Sequence, residues 1–199
     1  MMHLYSDPEC PLCHRVRIAI AEKGISVTIH NSNLDPWPEE IATAVPYGKS
    51  PVFVDRDVVL FDSNIIIDYL DARFIQTPLY PLSPADKAQF KLMLYRLDHD
   101  WYSLWQALSG VKKSKMAEAR RTLREDLTVL APLFDAHPYF MSDSFSMLDC
   151  GLAPLLWRLP RLNIILPSKA SAIDVYAKRL FERPGFQASL SNEERAMRT

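Results

Sequence analysis

Two cysteines near the start of the chain, Cys10 and Cys13, are the residues best suited to carry out chemistry. They belong to the segment Cys10-Pro11-Leu12-Cys13, and proline is favoured as the first residue of a helix. The free amide N–H groups and partial positive charge of a helix start lower a thiol pKa and favour the thiolate. The pattern predicts thiol–disulfide exchange, with Cys10 attacking and Cys13 resolving. The alternative interpretation is that neither thiol has a chemical role.

The elements that must position these cysteines follow a β-α-β order. His3 to Tyr5 is predicted to form a strand, a helix begins after Cys10 and stops at Gly24, and Val27 to Ile29 forms a second strand. A helical crossover between two strands requires a parallel pair. No metal site is expected, because one Cys-x-x-Cys pair supplies only half of a zinc site.

A hairpin is predicted farther along, where two apolar runs, Val52 to Val54 and Val58 to Phe61, flank a charged tip. Pro51 lies where the first of these strands begins, and the Ser50–Pro51 bond is predicted to be cis. Asp62 and Ser63 follow at once, and both residue types are good N-caps for the helix that comes next.

This order of proline, strand, turn, strand, cap and helix resembles the thioredoxin-like first domain of the glutathione-transferase superfamily. In that superfamily the peptide before the cis-proline and an acidic–Ser pair at the next helix start hold the backbone of glutathione. The resemblance implies a glutathione-like site, retained here as a vestige, whose members are Cys10, Lys49, Ser50, Pro51, Asp62 and Ser63.

The pattern becomes entirely helical beyond a proline-rich stretch. We therefore predict an α/β thioredoxin-like domain over residues 1–76, a linker over 77–83 and an all-helical domain over 84–199. The first helix of this helical domain carries a long apolar stripe, which consists of Phe90, Leu94, Leu97, Trp101, Leu104 and Leu108. One neighbouring helix cannot cover this stripe, which predicts a symmetric homodimer.

Two further features are predicted later in the helical domain. Ser146 and Asp149 form a capping box before a buried helix. Residues 191–199 are predicted to be a polar tail.

Composition limits the possible functions. The 23 basic and 24 acidic residues give a net charge of −1, so direct binding to nucleic acid through phosphate contacts is not expected. No apolar run is long enough to span a membrane. The chain starts without the basic and apolar regions of a signal peptide, and its three cysteines suit a reducing compartment. These features predict a cytoplasmic protein.

Five blocks spread over the whole chain carry a narrower resemblance, to the stringent starvation protein A family of RNA-polymerase-associated regulators. That resemblance implies a non-enzymatic homodimer with the transferase fold and no cofactor, which regulates transcription in starvation and stress by binding RNA polymerase and its sigma subunit. The alternative is a glutathione-dependent thiol enzyme using Cys10, either a two-domain glutaredoxin-like oxidoreductase or a Cys-type glutathione transferase. The five blocks are residues 16–24, 100–102, 152–160, 179–183 and 193–198.

The same resemblance implies a partner surface just after the last helix of the first domain. The family binds polymerase there through an exposed Pro-His-Pro turn, and this chain has lost both prolines and the histidine. Proline-stiffened loops lose little entropy on docking, and Ile75, Leu79 and Tyr80 are the expected anchors. The alternative is that the prolines only fix the linker. The expected surface comprises Ile75, Gln76, Thr77, Pro78, Leu79, Tyr80 and Pro81.

Overall fold

The computed structural model of the protein describes residues 1–33, 37–108 and 113–198. They form two compact units. The first unit contains Met1–Pro78 together with Pro184–Met197, and the second contains Leu79–Arg183 together with Arg198. One unit is a mixed sheet with helices and the other is helical, so the predicted fold class is confirmed.

A four-stranded mixed sheet forms the centre of the first unit. Its strands are β1 (Met2–Ser6), β2 (Thr28–Asn31), β3 (Val52–Asp55) and β4 (Val58–Phe61), in the order β2-β1-β3-β4. β1 pairs parallel with β2 and antiparallel with β3, and β3 pairs antiparallel with β4. The predicted β-α-β opening and the hairpin are confirmed, although β2 begins one residue later than expected.

The helices are numbered in chain order and belong to one unit or the other. None of those in the described residues is long and apolar enough to cross a membrane. The first unit has α1 (Pro11–Glu22), α2 (Glu39–Ala44), α3 (Ser63–Arg73), α10 (Pro184–Ser189) and α11 (Asn192–Ala196). The second has α4 (Pro84–Arg96), a π-helix (Leu97–Tyr102), α5 (Ser103–Leu108), α6 (Lys113–Leu130), α7 (Leu133–Ala136), α8 (Met147–Arg158), a 3-10 turn (Ser168–Ala170) and α9 (Ser171–Phe181).

The start of α3 is fixed by its N-cap. The Asp62 carboxylate accepts hydrogen bonds from the amides of Asn64 at 2.9 Å and Ile65 at 3.2 Å. Asp62 is therefore the cap, as predicted, whereas Ser63 is the first residue of the helix itself. The Ser50–Pro51 peptide is cis, which confirms that prediction as well.

The long helix predicted from the apolar stripe is interrupted by the π-helix Leu97–Tyr102. A π turn contains an extra residue and is frequent at functional sites. Most of the stripe faces the interior of the second unit, because Leu94, Leu97 and Trp101 are buried. The stripe is therefore not the exposed surface from which the homodimer was inferred. The large apolar residues that α4 exposes are Leu92 and Tyr95.

The buried helix α8 begins with the predicted capping box. The Ser146 hydroxyl accepts from the Leu148 amide at 3.2 Å, and the Asp149 carboxylate accepts from the Ser146 amide at 2.8 Å. All twelve residues of α8 are buried, including Pro154. Packing inside the second unit therefore holds a proline that would otherwise be unfavourable within a helix.

The end of the chain departs from the predicted domain boundaries. Residues 184–197 pack with the first unit, although the sequence assigned the whole range 84–199 to a helical domain. Residues 191–199 were also expected to be a polar tail, whereas α11 forms there with a capping box between Ser191 and Glu194. The Glu194 side chain is fully buried, and its partners, described below, explain why this segment joins the first unit.

Candidate functional site

The Cys10-Pro11-Leu12-Cys13 segment forms the start of α1, as predicted. Cys10 is the N-cap residue, Pro11 is the first helical residue, and both cysteines are free thiols. Cys10 is partly exposed, whereas Cys13 is fully buried. Sγ of Cys13 lies 3.3 Å from Oγ of Ser50, which in turn accepts from the Ser32 hydroxyl at 3.1 Å. The structure therefore brings the cysteines next to the residue that precedes the cis-proline.

The two thiols have opposite electrostatic environments. A hydrogen bond from the Cys13 side chain, together with backbone amides at the helix start, lowers the pKa of Cys10 to about 6. Desolvation of Cys10 acts in the opposite direction but is outweighed. Burial raises the pKa of Cys13 well above its ordinary value. Cys10 is thus the nucleophile of the pair at neutral pH, and Cys13 is the donor that stabilises its thiolate.

This arrangement predicts the alkylation behaviour of Cys10. Its rate of reaction with iodoacetamide should be half-maximal near pH 6, since only the thiolate reacts. Cys13→Ala removes the donor and should move the midpoint upward, toward the pKa of an ordinary thiol. Mass spectrometry of the peptide containing Cys10 measures both midpoints. An unchanged midpoint in the Cys13→Ala protein would contradict the assigned role of Cys13.

The other members of the glutathione-like site lie in the same unit but differ in exposure. Lys49 and Asp62 are exposed, and Pro51 is buried. Ser63 is also buried, and its hydroxyl accepts from Nη1 of Arg15 at 3.4 Å. The Asp62 carboxylate is engaged as a helix cap. These contacts give Asp62 and Ser63 a structural role at the start of α3.

The expected partner surface divides into an exposed and a buried part. Residues 75–78 are exposed, and Ile75 has 74% of its surface accessible. Leu79 and Tyr80, expected as anchors, are buried at 1% and 6%. The Tyr80 ring lies under the ammonium groups of Lys87 and Lys91, 5.1 and 5.6 Å from its centroid. Neither Leu79 nor Tyr80 is therefore presented to a partner, and Pro81 is half-buried.

The first unit contains a buried polar cluster that was not predicted from the sequence. Arg17 pairs with Glu194 at 2.6 Å, and Nδ1 of His14 lies 3.4 Å from the same carboxylate. Nε of Arg17 donates to the Ser189 carbonyl at 2.9 Å, and Nε2 of His14 lies 3.0 Å from the Ser189 hydroxyl. These contacts join α1 to α10 and α11. The signal available in the sequence was the Ser-x-x-Glu capping box at Ser191.

Although Ser189, His14 and Glu194 contact one another in the order of a catalytic triad, they do not form a catalytic site. All three side chains are almost completely buried, so a substrate does not reach the hydroxyl. That hydroxyl also donates to the Phe186 carbonyl at 2.6 Å. The cluster is therefore structural, and it holds the last helices of the chain against α1.

Comparison with known proteins places the chain in a family. The glutathione S-transferase N-terminal domain matches residues 4–78, and the C-terminal domain of the same family matches residues 74–184. The stringent starvation protein A homolog of Coxiella burnetii is 40% identical over 199 residues, which is 100% of this chain and 95% of that protein. The homolog of Pasteurella multocida is 40% identical over 96% of this chain and 90% of its own length.

Solved structures agree at the level of the fold. Glutathione transferase Omega 3C from Trametes versicolor superposes with a TM-score of 0.82 at 24% identity, over 96% of this chain and 84% of that one. Because the identity is this low, the likeness shows the fold alone. The domain matches and the two close relatives show more: the chain belongs to the stringent starvation protein A family, within the glutathione S-transferase fold.

Proposed function

We propose that this protein is a non-enzymatic transcription regulator that binds RNA polymerase holoenzyme, through the polymerase and its sigma subunit, in the response to starvation and stress. The observation that carries the proposal is the 40% identity to a stringent starvation protein A homolog along the entire chain. The net charge of −1 supports an indirect route to DNA, because phosphate contacts require a basic surface.

The contact surface that we propose is the exposed segment 75–78. Its backbone is held in place, because Nζ of Lys23 donates to the Thr77 carbonyl at 2.5 Å and also pairs with Asp71 at 2.7 Å. A segment fixed in this way loses little entropy when a partner binds. Ile75 supplies an exposed apolar side chain, which suits it to anchor the contact.

We expect Ile75→Glu to reduce capture of polymerase holoenzyme by at least about tenfold, since a charge would be buried without a partner in the complex. The matched control is Ile165→Glu, because Ile165 is also an exposed isoleucine, with 80% of its surface accessible, and it does not belong to the proposed segment. Capture on immobilised protein, scored for polymerase subunits, measures the effect. Equal capture by the two variants would show that the contact surface lies elsewhere.

We also propose that the protein is a symmetric homodimer, in which the first domain of one copy meets the long helices of the other. Exposed apolar side chains are present in both units: Ile65 on α3 is 53% exposed, and Leu92 and Tyr95 on α4 are 55% and 64% exposed. The Tyr95 ring of α4 stacks on the His99 ring of the π-helix with 5.8 Å between their centroids, so these helices present a stacked aromatic pair at an exposed face. Isologous pairing of such faces is the commonest way of covering them.

Sedimentation at micromolar concentration should give twice the chain mass of 22.8 kDa. Tyr95→Glu should shift the protein toward the monomer, because it introduces a charge into the proposed interface. Val175→Glu on α9, at a position that is 59% exposed, serves as the control and should remain dimeric. A monomer mass for the unaltered protein at this concentration would refute the proposal.

A second candidate function, a glutathione-dependent thiol enzyme, is favoured by the lowered pKa of Cys10. In that reaction the Cys10 thiolate attacks a mixed disulfide of glutathione, takes the glutathionyl group and releases the substrate thiolate. A glutathione thiolate then attacks the Cys10–glutathione disulfide, forming glutathione disulfide and restoring the Cys10 thiolate. Cys13 is fully buried, so this monothiol route suits the site better than resolution by Cys13.

The two candidates are separated by one assay. Reduction of a model glutathione mixed disulfide at catalytic rates, abolished by Cys10→Ser, would establish the enzyme. The regulator predicts no turnover above that of free glutathione. It also predicts that Cys10→Ser leaves polymerase capture unchanged.

A further inference from the structure

The loop that leads from β1 to Cys10 is held by the far end of the chain. This loop comprises residues 7–9, and the far end is the C-terminal segment, residues 184–197, which belongs to the same unit. The Ser191 hydroxyl donates to the Pro8 carbonyl at 2.7 Å, although 183 residues separate the two in the sequence. The C-terminal segment therefore fixes the loop two residues before the reactive thiol.

Arg17 makes a second link between the C-terminal segment and the loop. Its Nη1 donates to the Asp7 carbonyl at 3.2 Å. Its Nη2 pairs with the Glu194 carboxylate at 2.6 Å, and its Nε donates to the Ser189 carbonyl at 2.9 Å. The buried guanidinium is thus held by the C-terminal segment while it holds the loop. Two successive carbonyls of the loop therefore receive hydrogen bonds that depend on the C-terminal segment.

The loop in turn fixes the backbone of Cys10. The Asp7 carboxylate accepts from the Glu9 amide at 2.8 Å and from the Cys10 amide at 3.3 Å. On the helix side, the Cys10 carbonyl accepts from the His14 amide at 3.0 Å. The position of Cys10 as the N-cap of α1 is therefore set by the loop before it as well as by the first turn of the helix.

The thiolate of Cys10 is stabilised only while its side chain stays at the helix start. The groups that lower its pKa are the Cys13 thiol and the backbone amides of Cys13 and Leu12. The Asp7 carboxylate raises that pKa, but its effect is smaller than theirs. A Cys10 side chain that moved away from the helix start would lose these donors and titrate closer to an ordinary thiol. Holding the loop therefore favours the reactive form.

We propose that the C-terminal segment positions Cys10 for reaction, with Ser191 as the positioning residue that acts through the Pro8 carbonyl. Ser191 acts on the backbone of the loop and not on the reacting sulfur. While the segment is attached, the loop and the N-cap keep the geometry that the thiolate requires. The inference concerns the reactivity of the thiol itself. It is therefore independent of polymerase binding and of glutathione turnover.

Iodoacetamide alkylation of the full chain, followed by mass spectrometry, tests this role. Ser191→Ala removes the donor to Pro8 and should raise the pH midpoint of Cys10 alkylation by about half a pH unit or more. Ser191→Thr keeps a hydroxyl and should keep the midpoint near that of the unaltered protein. Glu193→Gln, at an exposed neighbouring position, should leave the midpoint unchanged. An unchanged midpoint in the Ser191→Ala protein, or an equal shift in the Ser191→Thr protein, would overturn the proposal.

A further variant separates the contact with Pro8 from the cap of α11, because the Ser191 hydroxyl also accepts from the Glu194 amide at 3.0 Å. Glycine at an N-cap costs little helix stability but offers no side-chain donor. Ser191→Gly should therefore shift the Cys10 midpoint as far as Ser191→Ala does. A midpoint equal to that of the unaltered protein would show that the helix cap is responsible, and would overturn the role of the Pro8 contact. Cys13 is fully buried in the same unit, so its alkylation in the Ser191→Ala protein would mark unfolding of that unit. The milder Ser191→Gly variant then decides between the two results.

Discussion

Replacing Asp149 by alanine should lower the free energy of unfolding by about 4 kcal/mol. The buried Asp149 carboxylate accepts four hydrogen bonds: from the Phe140 amide at 3.0 Å, the Ser146 amide at 2.8 Å, the Ser146 hydroxyl at 3.1 Å and the Tyr176 hydroxyl at 2.7 Å. Alanine leaves these donors without an acceptor at buried positions. Each costs about 1–3 kcal/mol before the surroundings relax.

The effect of this substitution should also depend on pH. Burial raises the pKa of Asp149 from 3.8 to about 6. The folded state therefore binds a proton more tightly than the unfolded state, and the stability contributed by that proton is present below pH 4 and lost as pH rises to about 6. The difference in unfolding free energy between the unaltered protein and Asp149→Ala should be larger at pH 5 than at pH 7, by about 1 kcal/mol.

Urea denaturation followed by circular dichroism measures both quantities. Asp143→Ala is the matched control, because the Asp143 side chain is 84% exposed and pairs with His137 at the surface. Surface pairs of this kind contribute about 0–1 kcal/mol. If Asp149→Ala were no more destabilising than Asp143→Ala, the capping box would not be what fixes the start of α8.

Glu194→Gln should cost about 3–5 kcal/mol, because it removes the charge from a buried ion pair and leaves Arg17 uncompensated. Arg17 and Glu194 are 5% and 0% exposed, and their side chains are 2.6 Å apart. His14 loses the same partner. We expect residues 184–197 to separate from α1, since this cluster supplies the polar contacts of α10 and α11 with that helix.

Hydrogen exchange of the α11 amides reports that separation directly, and urea denaturation gives its cost. The matched control is Glu193→Gln, which makes the same change one residue earlier at an exposed position. Similar exchange rates for the two variants would refute the assigned role of the cluster. A double-mutant cycle of Glu194→Gln with Arg17→Met should show strong coupling, because the two substitutions remove one shared interaction.

Local features of the fold were predictable where neighbouring residues determine them. The Asp62 cap and the capping box of Ser146 and Asp149 depend on hydrogen bonds that span two or three residues. The β-α-β order depends on the spacing of apolar residues along the sequence and on the length of the connecting helix. The burial of Glu194 and its pairing with residues of α1 were not predictable in this way. Its own box was present in the sequence, but its partners His14 and Arg17 lie some 180 residues earlier. No local pattern encodes such a pairing.

The candidate sites likewise combine features that a short motif predicts with features that only tertiary packing determines. The Cys10 thiol lies at a helix start, as a four-residue motif predicted. Leu79 and Tyr80 are buried by tertiary packing. Because the sequence does not show that packing, apolar residues in this loop were expected to be available as anchors. The π-helix is a further case, because the four-and-three spacing of the apolar stripe also fits an ordinary helix. Contacts such as that of Tyr102 with Gly151 arise only in the folded unit.

Binding of purified RNA polymerase holoenzyme to this protein is the most direct test of the proposed function. With the protein immobilised at about 0.15 M salt, we expect saturable binding at micromolar or lower concentration. The protein alone should show no binding to duplex DNA. The Cys10→Ser variant should bind holoenzyme as well as the unaltered protein does. Absence of holoenzyme binding, together with Cys10-dependent reduction of a glutathione mixed disulfide, would contradict the regulator and establish the thiol enzyme in its place.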